Sequence, residues 1–222
     1  MAKATRRGAE TARQGGETAR RDRILDVAAE AFMTLGFAAT SVDSICAALG
    51  QTKGSVYYHF RSKTDLFFAV YRRAMEYTEG ALDGVPANLL PTDRLHGMAF
   101  AHTMLIIERL RYLRVAALGL EMHLLGRTTP TERAEMRSLV AMRDASERRY
   151  VDVITDGIAD GSFRRVDPRL AVKPLLGALN WTSRWYQPRP QQRAADNEAI
   201  ARGIADFVHN GLLAPGQRAA KR

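Results

Sequence analysis

The stretch Val42–Arg61, VDSICAALGQTKGSVYYHFR, constrains the fold more than any other part of this 222-residue chain. Ile45, Leu49 and Val56 fall where two short helices joined by a tight turn bury them against each other. Cys46 and Ala47 are small where such helices must approach closely, and Gly50 relieves the turn. Ser41 fits the N-cap of a helix over 42–49, with Asp43 in its first turn at the positive end of the dipole. Thr52 fits the cap of a second helix over 53–59. That helix leaves Lys53, Ser55, Tyr57, Tyr58 and His59 exposed, a row of donors for phosphates and base edges, and Gly54 lets backbone come close to a partner. A helix pair of this shape suits insertion of its second helix into a DNA major groove.

Helical periodicity covers most of the remainder. Ile24, Val27, Ala28, Ala31, Phe32 and Leu35 recur at three- and four-residue spacing over 20–36, and Gly36 fits a left-handed end. Ser62-Lys63-Thr64-Asp65 resembles a capping box and opens a helix over 63–80. After a Gly/Pro-punctuated linker, helical patterns resume near 92–109, 111–124, from Thr131 to Ile158, from Asp167-Pro168 to Tyr186, and over 192–212. Pro174 inside the penultimate pattern predicts a kink or a delayed start. No useful length shows strand alternation. The expectation is an all-α fold of about nine helices. Residues 1–19 are expected as a mobile basic arm, and 20–66 as a helix-turn-helix domain that helix 63–80 links onward. Residues 81–215 are then a larger helical domain and 216–222 a tail.

Composition excludes more than it identifies. A polar, basic start without an apolar core does not read as a secretory signal, and no apolar run is long enough to span a bilayer, so a cytoplasmic location is expected and no membrane partner. The single Cys46 permits no internal disulfide and no multi-cysteine metal site. The net charge of +9 invites a nucleic-acid partner. Yet residues 1–80 carry 12 basic and 9 acidic side chains against 21 and 15 in 81–222, so the excess is not concentrated on the motif. Hydrolase, metalloprotease, P-loop and dinucleotide signatures are absent, and the five histidines lack metal-ligand spacing, so neither enzyme, cofactor nor metal is expected.

The segments ARRDRILDVAAEAFMTLGF, ATSVDSICAALG and QTKGSVYYHFRSKTDLF resemble the DNA-binding domain of the TetR family of transcriptional regulators, over residues 20–66. The resemblance implies that Ser41 caps its helix and meets a phosphate, and that Thr52, Lys53, Gly54 and Ser55 touch bases or backbone. It implies phosphate bonds from Tyr57 and Tyr58, His59 near the backbone, and Lys63 holding a phosphate through its charge and the helix N-terminus. Arg20 and Arg21 are candidates to reach DNA from the arm.

The same resemblance implies a homodimer through the last two helices, a pseudo-palindromic operator, and an effector pocket in the later domain whose occupancy shifts helix 63–80. Gly177, Ala178, Gly203 and Ala205 permit close packing there, and Leu179, Ile204, Phe207 and Leu212 supply apolar area. Candidate pocket residues are His102, Met104, Met122, His123, Tyr150, Trp181, Arg184 and Trp185, all of types that also serve as plain core. The run Arg184-Trp185-Tyr186-Gln187-Pro188 is similar to that of family repressors of lipid and steroid catabolism that answer to acyl-CoA thioesters. The expected function is a ligand-released repressor. The alternative is a non-specific architectural nucleic-acid binder, which a Lys53→Ala change would weaken equally on all DNA.

Overall fold

The computed structural model describes residues 2–125 and 129–215, with side chains for 15–119 and 129–215. Nine helices are assigned among the described residues: α1 (Ala2–Ala39), α2 (Val42–Leu49), α3 (Lys53–His59), α4 (Lys63–Asp83), α5 (Pro91–Glu108), α6 (Leu110–Leu125), α7 (Pro130–Ala159), α8 (Pro168–Trp185) and α9 (Ala194–Leu212). The one pairing of strand type among them is an isolated bridge between Phe163 and Leu213.

Local chemistry explains most boundaries. Ser41 Oγ accepts from Ser44 N and Ser44 Oγ from Ser41 N, a reciprocal box, and α2 stops at Gly50 in the left-handed region (φ 63°, ψ 32°). Thr52 is the N-cap of α3, but its side chain makes no capping bond. At α4 only half a box forms: Ser62 Oγ accepts from Asp65 N at 3.0 Å, while the Asp65 carboxylate accepts instead from Arg61 N at 2.8 Å. Thr129 and Glu132 build a full box around Pro130 at the start of α7, two residues before the expected Thr131.

Three expectations change. Helix α1 begins at Ala2, so the expected arm over 2–19 is helical; its alanines, arginines, glutamates and glutamines are good helix formers. Gly36 has the predicted positive φ of 78°, but its ψ of 166° is extended rather than left-handed-helical, and one more turn follows before Thr40. Pro174 does not delay α8, which starts at Pro168 under an Asp167 cap and continues through to Trp185. The tail 216–222 and the break at 126–128 lie outside the described residues.

One apolar cluster joins α1–α4 to α6 and to parts of α5 and α7, and a second joins α5, α7, α8 and α9. Helix α4 serves both, through Leu66–Met75 in the first and Leu82 in the second. The helix-turn-helix unit is therefore not cored alone. Arg73 of α4 bonds Asp22 of α1 at 2.7 Å, and Asp26 of α1 accepts from Arg111 and Tyr112 of α6, each at 2.8 Å. Burial opposes the charge on Arg73, but the bonds to Asp22 and Tyr77 outweigh it and hold its pKa above the ordinary value. Among the described residues no helix is long and apolar enough to cross a membrane.

Candidate functional site

Helix α3 is fixed by a single buried side chain, Val56, with Phe60 buried just beyond its end. Every other face of α3 is open or half-open. Tyr58 is 74% and Tyr57 46% exposed, large values for aromatic side chains. Tyr58 lies against Glu17 of α1, whose hydrogen bond and charge raise its hydroxyl pKa. Lys53 pairs with Asp43 of α2 at 2.8 Å, both side chains more than half exposed, and the bond and charge of Asp43 raise the ammonium pKa. Ser55 Oγ donates to Gln51 at 2.9 Å, and Arg21 lies over the Phe60 ring at 5.2 Å. Thr52, Lys53, Gly54, Ser55, Tyr57, Tyr58 and His59 thus share one short, largely solvent-facing element, with exposed Ser41 at the head of α2.

Lys63 is engaged within the chain. Its Nζ donates to the carbonyls of Phe37 (2.8 Å), Thr40 (2.9 Å) and Ala38 (3.3 Å), and it sits 4.5 Å from the centre of the Phe37 ring. An ammonium has three donors, and all three are engaged at the negative end of α1. Phe37 in turn packs edge-on against Phe67 of α4 at 5.1 Å. The start of α4 is thereby fastened to the turn that leads into α2. Sequence reasoning had no means to see this, because the acceptors are backbone atoms more than twenty residues away.

A cavity of about 380 Å³ lies between α4, α5, α6, α7 and α8. Of the predicted pocket residues, His102, Tyr150, Trp181 and Arg184 line it. Met104 is not among the lining residues: His102 and Ile106 share the cavity side of α5, and Met104, two residues from each, projects elsewhere. Trp185 lines a separate shallow cavity with Tyr186 and Pro188. The side chains of Met122 and His123 lie outside the described residues. Unpredicted lining includes Tyr71, Met75 and Thr78 of α4, Leu113 of α6, Arg143 of α7 and Asn180 of α8. At the closed end, Tyr150 OH donates to Met98 O at 3.2 Å and lies 3.1 Å from His102 Nδ1. Burial lowers the His102 pKa to about 4, so the ring is neutral near pH 7. Among the described residues no cluster of His, Cys, Asp and Glu has the makings of a metal site.

Helices α8 and α9 leave a face uncovered. Leu170, Trp181, Trp185 and Phe207 are exposed, and a Cβ added at Gly177, Gly203 or Gly211 would meet open space. Of the apolar set named from sequence, Leu179 and Leu212 instead lie in the monomer core.

A three-helix unit with an open, donor-rich third helix, joined to a helical domain holding a cavity, defines a helix-turn-helix DNA-binding regulator. The chain belongs to the TetR family: residues 24–70 match the family "Bacterial regulatory proteins, tetR family", and 88–212 match "Tetracyclin repressor-like, C-terminal domain". It is 30% identical over 172 residues to the HTH-type transcriptional repressor KstR2 of Mycolicibacterium smegmatis, covering 76% of this chain and 80% of that one. The structure of the ketosteroid transcriptional regulator KstR2 of Mycobacterium tuberculosis superimposes with a TM-score of 0.75 over 88% of this chain and 95% of that one; at 23% identity it supports the fold alone. The structure of AibR in complex with isovaleryl coenzyme A and operator DNA superimposes with a TM-score of 0.64 at 26% identity, over 85% and 97% of the two chains. The family is one of transcriptional regulators.

Proposed function

We propose that this regulator is a repressor that binds a pseudo-palindromic operator as a homodimer and is released by a small molecule of acyl-CoA type. The open face of α3 carries the reading: Lys53, Tyr57 and Tyr58 stand exposed on the element that would enter the groove, with exposed Thr52 and Gly54 and half-buried Ser55 and His59 beside them and Ser41 at the head of α2. The engagement of Lys63 with α1 supports a bracing role in place of a phosphate contact. A dimer through α8 and α9 would cover Leu170, Trp181, Trp185 and Phe207, apolar area that a lone chain leaves in water.

The release mechanism follows from α4. Tyr71, Met75 and Thr78 line the cavity, and Lys63 and Phe67 of the same helix grip the α1–α2 turn. A ligand that fits the cavity in only one setting of α4 would move the helix-turn-helix unit with it, provided its affinity differs between the settings. Arg184 and Arg143 stand among the lining and offer cations to a phosphate, while Met75, Ile106, Leu113 and Leu176 suit an acyl chain. The relative bound to isovaleryl coenzyme A and operator DNA favours this ligand class.

Titrating acyl-CoA thioesters of graded length against a preformed complex with the DNA upstream of its own gene tests the proposal. Release by at least one thioester is expected; no release at any length removes the acyl-CoA element. Sedimentation of Phe207→Glu tests the interface, and a change from dimer to monomer is the expected result.

A further inference from the structure

We propose, resting on the reading that this cavity holds an acyl-CoA effector, that the Tyr71 hydroxyl donates to the thioester carbonyl of that ligand and so selects for an acceptor at this point. Tyr71 of α4 is almost fully buried and lines the cavity, yet its hydroxyl has no hydrogen-bond partner among the described residues. Across those residues, Thr182 Oγ1 is the buried side-chain polar atom that is sealed off without a partner. The Tyr71 oxygen is not sealed, so it opens into the space that its ring borders, which is the cavity. A buried phenol without a partner forgoes a hydrogen bond that a ligand can restore. The ring is aimed by its seat on α6. A Cβ on Gly119 would stand 2.8 Å from Tyr71 Cδ1 and 2.9 Å from Cε1, so the ring rests where only a glycine leaves room.

The surroundings say what the partner must be. Burial holds the Tyr71 pKa above its ordinary value, with Arg143 of α7 lowering it and Asp144 raising it. Tyr71 is therefore a neutral phenol near pH 7, with a proton to give. Arg143 lines the cavity and Asp144 does not, while Glu147, the acidic lining residue, is held by Lys173 at 2.6 Å. A ligand atom between Tyr71 and Arg143 thus meets two donors. An oxygen with two lone pairs suits that place, and an ammonium is repelled from it. The position along the ligand fits as well. Tyr150 and His102 lie at the closed end, Arg143 and Arg184 are solvent-accessible, and a thioester carbonyl joins the charged CoA part to the acyl chain. Tyr71 also stands on the helix whose Lys63 grips the α1–α2 turn, so this bond ties the ligand to the element that must move.

Decanoyl-CoA and S-decyl-CoA, which differ only in a carbonyl or a methylene beside the sulfur, test this when each is titrated by calorimetry into the full chain. Decanoyl-CoA should bind about tenfold more tightly, the worth of one buried hydrogen bond. Tyr71→Phe keeps the ring and gives up a hydroxyl that no described protein atom holds, so its melting temperature should not fall. It should weaken decanoyl-CoA by about tenfold and leave S-decyl-CoA unchanged, a difference that a merely structural role would not produce. If Tyr71→Phe does not fold, Gly119→Ala decides, because its methyl displaces the ring and must shrink the preference. Equal binding of the two ligands by the native chain, or a preference that survives these changes, overturns the Tyr71 assignment and leaves the acyl-CoA reading standing. Binding of neither ligand overturns both.

Discussion

The face of α3 and the closed end of the cavity are both polar surfaces, but they are held in opposite ways. On α3 the polar groups lean on whatever is near: Lys53 on Asp43, Tyr58 on Glu17, all in water. Such exposed pairs are screened and readily exchanged, so DNA phosphates can take them over. In the cavity, Tyr150 and His102 are buried and fix each other and the Met98 carbonyl. These contacts are formed before any ligand arrives. The surface proposed to meet DNA is loosely held, and the one proposed to meet a small molecule is held firmly.

Acid is the strongest way to strain the closed end. The folded His102 holds its proton only below about pH 4, whereas the unfolded residue takes one up near 6.5. As pH falls from 6.5 to 4 the unfolded chain gains the proton first, so stability drops, by about 3 kcal/mol over that range. Urea unfolding at several pH values should show this loss in the native chain and a flatter profile in His102→Gln; equal losses in both would assign the effect to other groups.

On the loose side, Lys53→Ala should lower affinity for an operator selected from random sequence by about tenfold or more. A random duplex should lose much less, and equal losses on both DNAs would favour an architectural binder. Between the two regimes, Lys63→Met should cost about 1–2 kcal/mol in stability, because three carbonyls lose a charged donor. It should leave the salt dependence of random-duplex binding unchanged; a slope reduced by about 0.9 would show a phosphate contact after all. The smallest effect is expected from Asp43→Asn, which frees Lys53 and removes a negative charge beside the DNA face. Binding to any duplex should rise by about twofold in low salt, and a fall would show that Asp43 orients Lys53 productively.

The same contrast explains what could be read from the sequence. The α2–α3 unit was legible because its caps, turn glycine and exposed donors lie within twenty consecutive residues and depend on local rules. Most of the helices were legible from apolar spacing, the first half of α1 being the exception, and of the two outcomes expected at Pro174 the delayed start does not occur. The cavity was legible in part. His102, Tyr150, Trp181 and Arg184 stood out by type, but Tyr71, Met75 and Thr78 looked like ordinary faces of α4 until five helices met. The engagement of Lys63 with α1 was not legible because its partners are main-chain oxygens, which carry no mark in a sequence. The ties of Asp22 and Asp26 to α4 and α6 were invisible for a similar reason: nothing local distinguishes a carboxylate that pairs fifty or more residues away.

Arg114 of α6 donates to the carbonyls of Ser183 (2.7 Å) and Tyr186 (2.6 Å) at the end of α8, and reaches the sulfur of Met33 in α1 at 3.8 Å. One guanidinium therefore fixes where α8 stops, through atoms that every amino acid possesses. Asn180, Trp181 and Arg184, on the last turns before that stop, line the cavity. Their side chains can be exchanged without disturbing the carbonyls that Arg114 holds. Substitutions at these three positions would change what the cavity lining offers while the link from α8 to α6 and α1 stays intact.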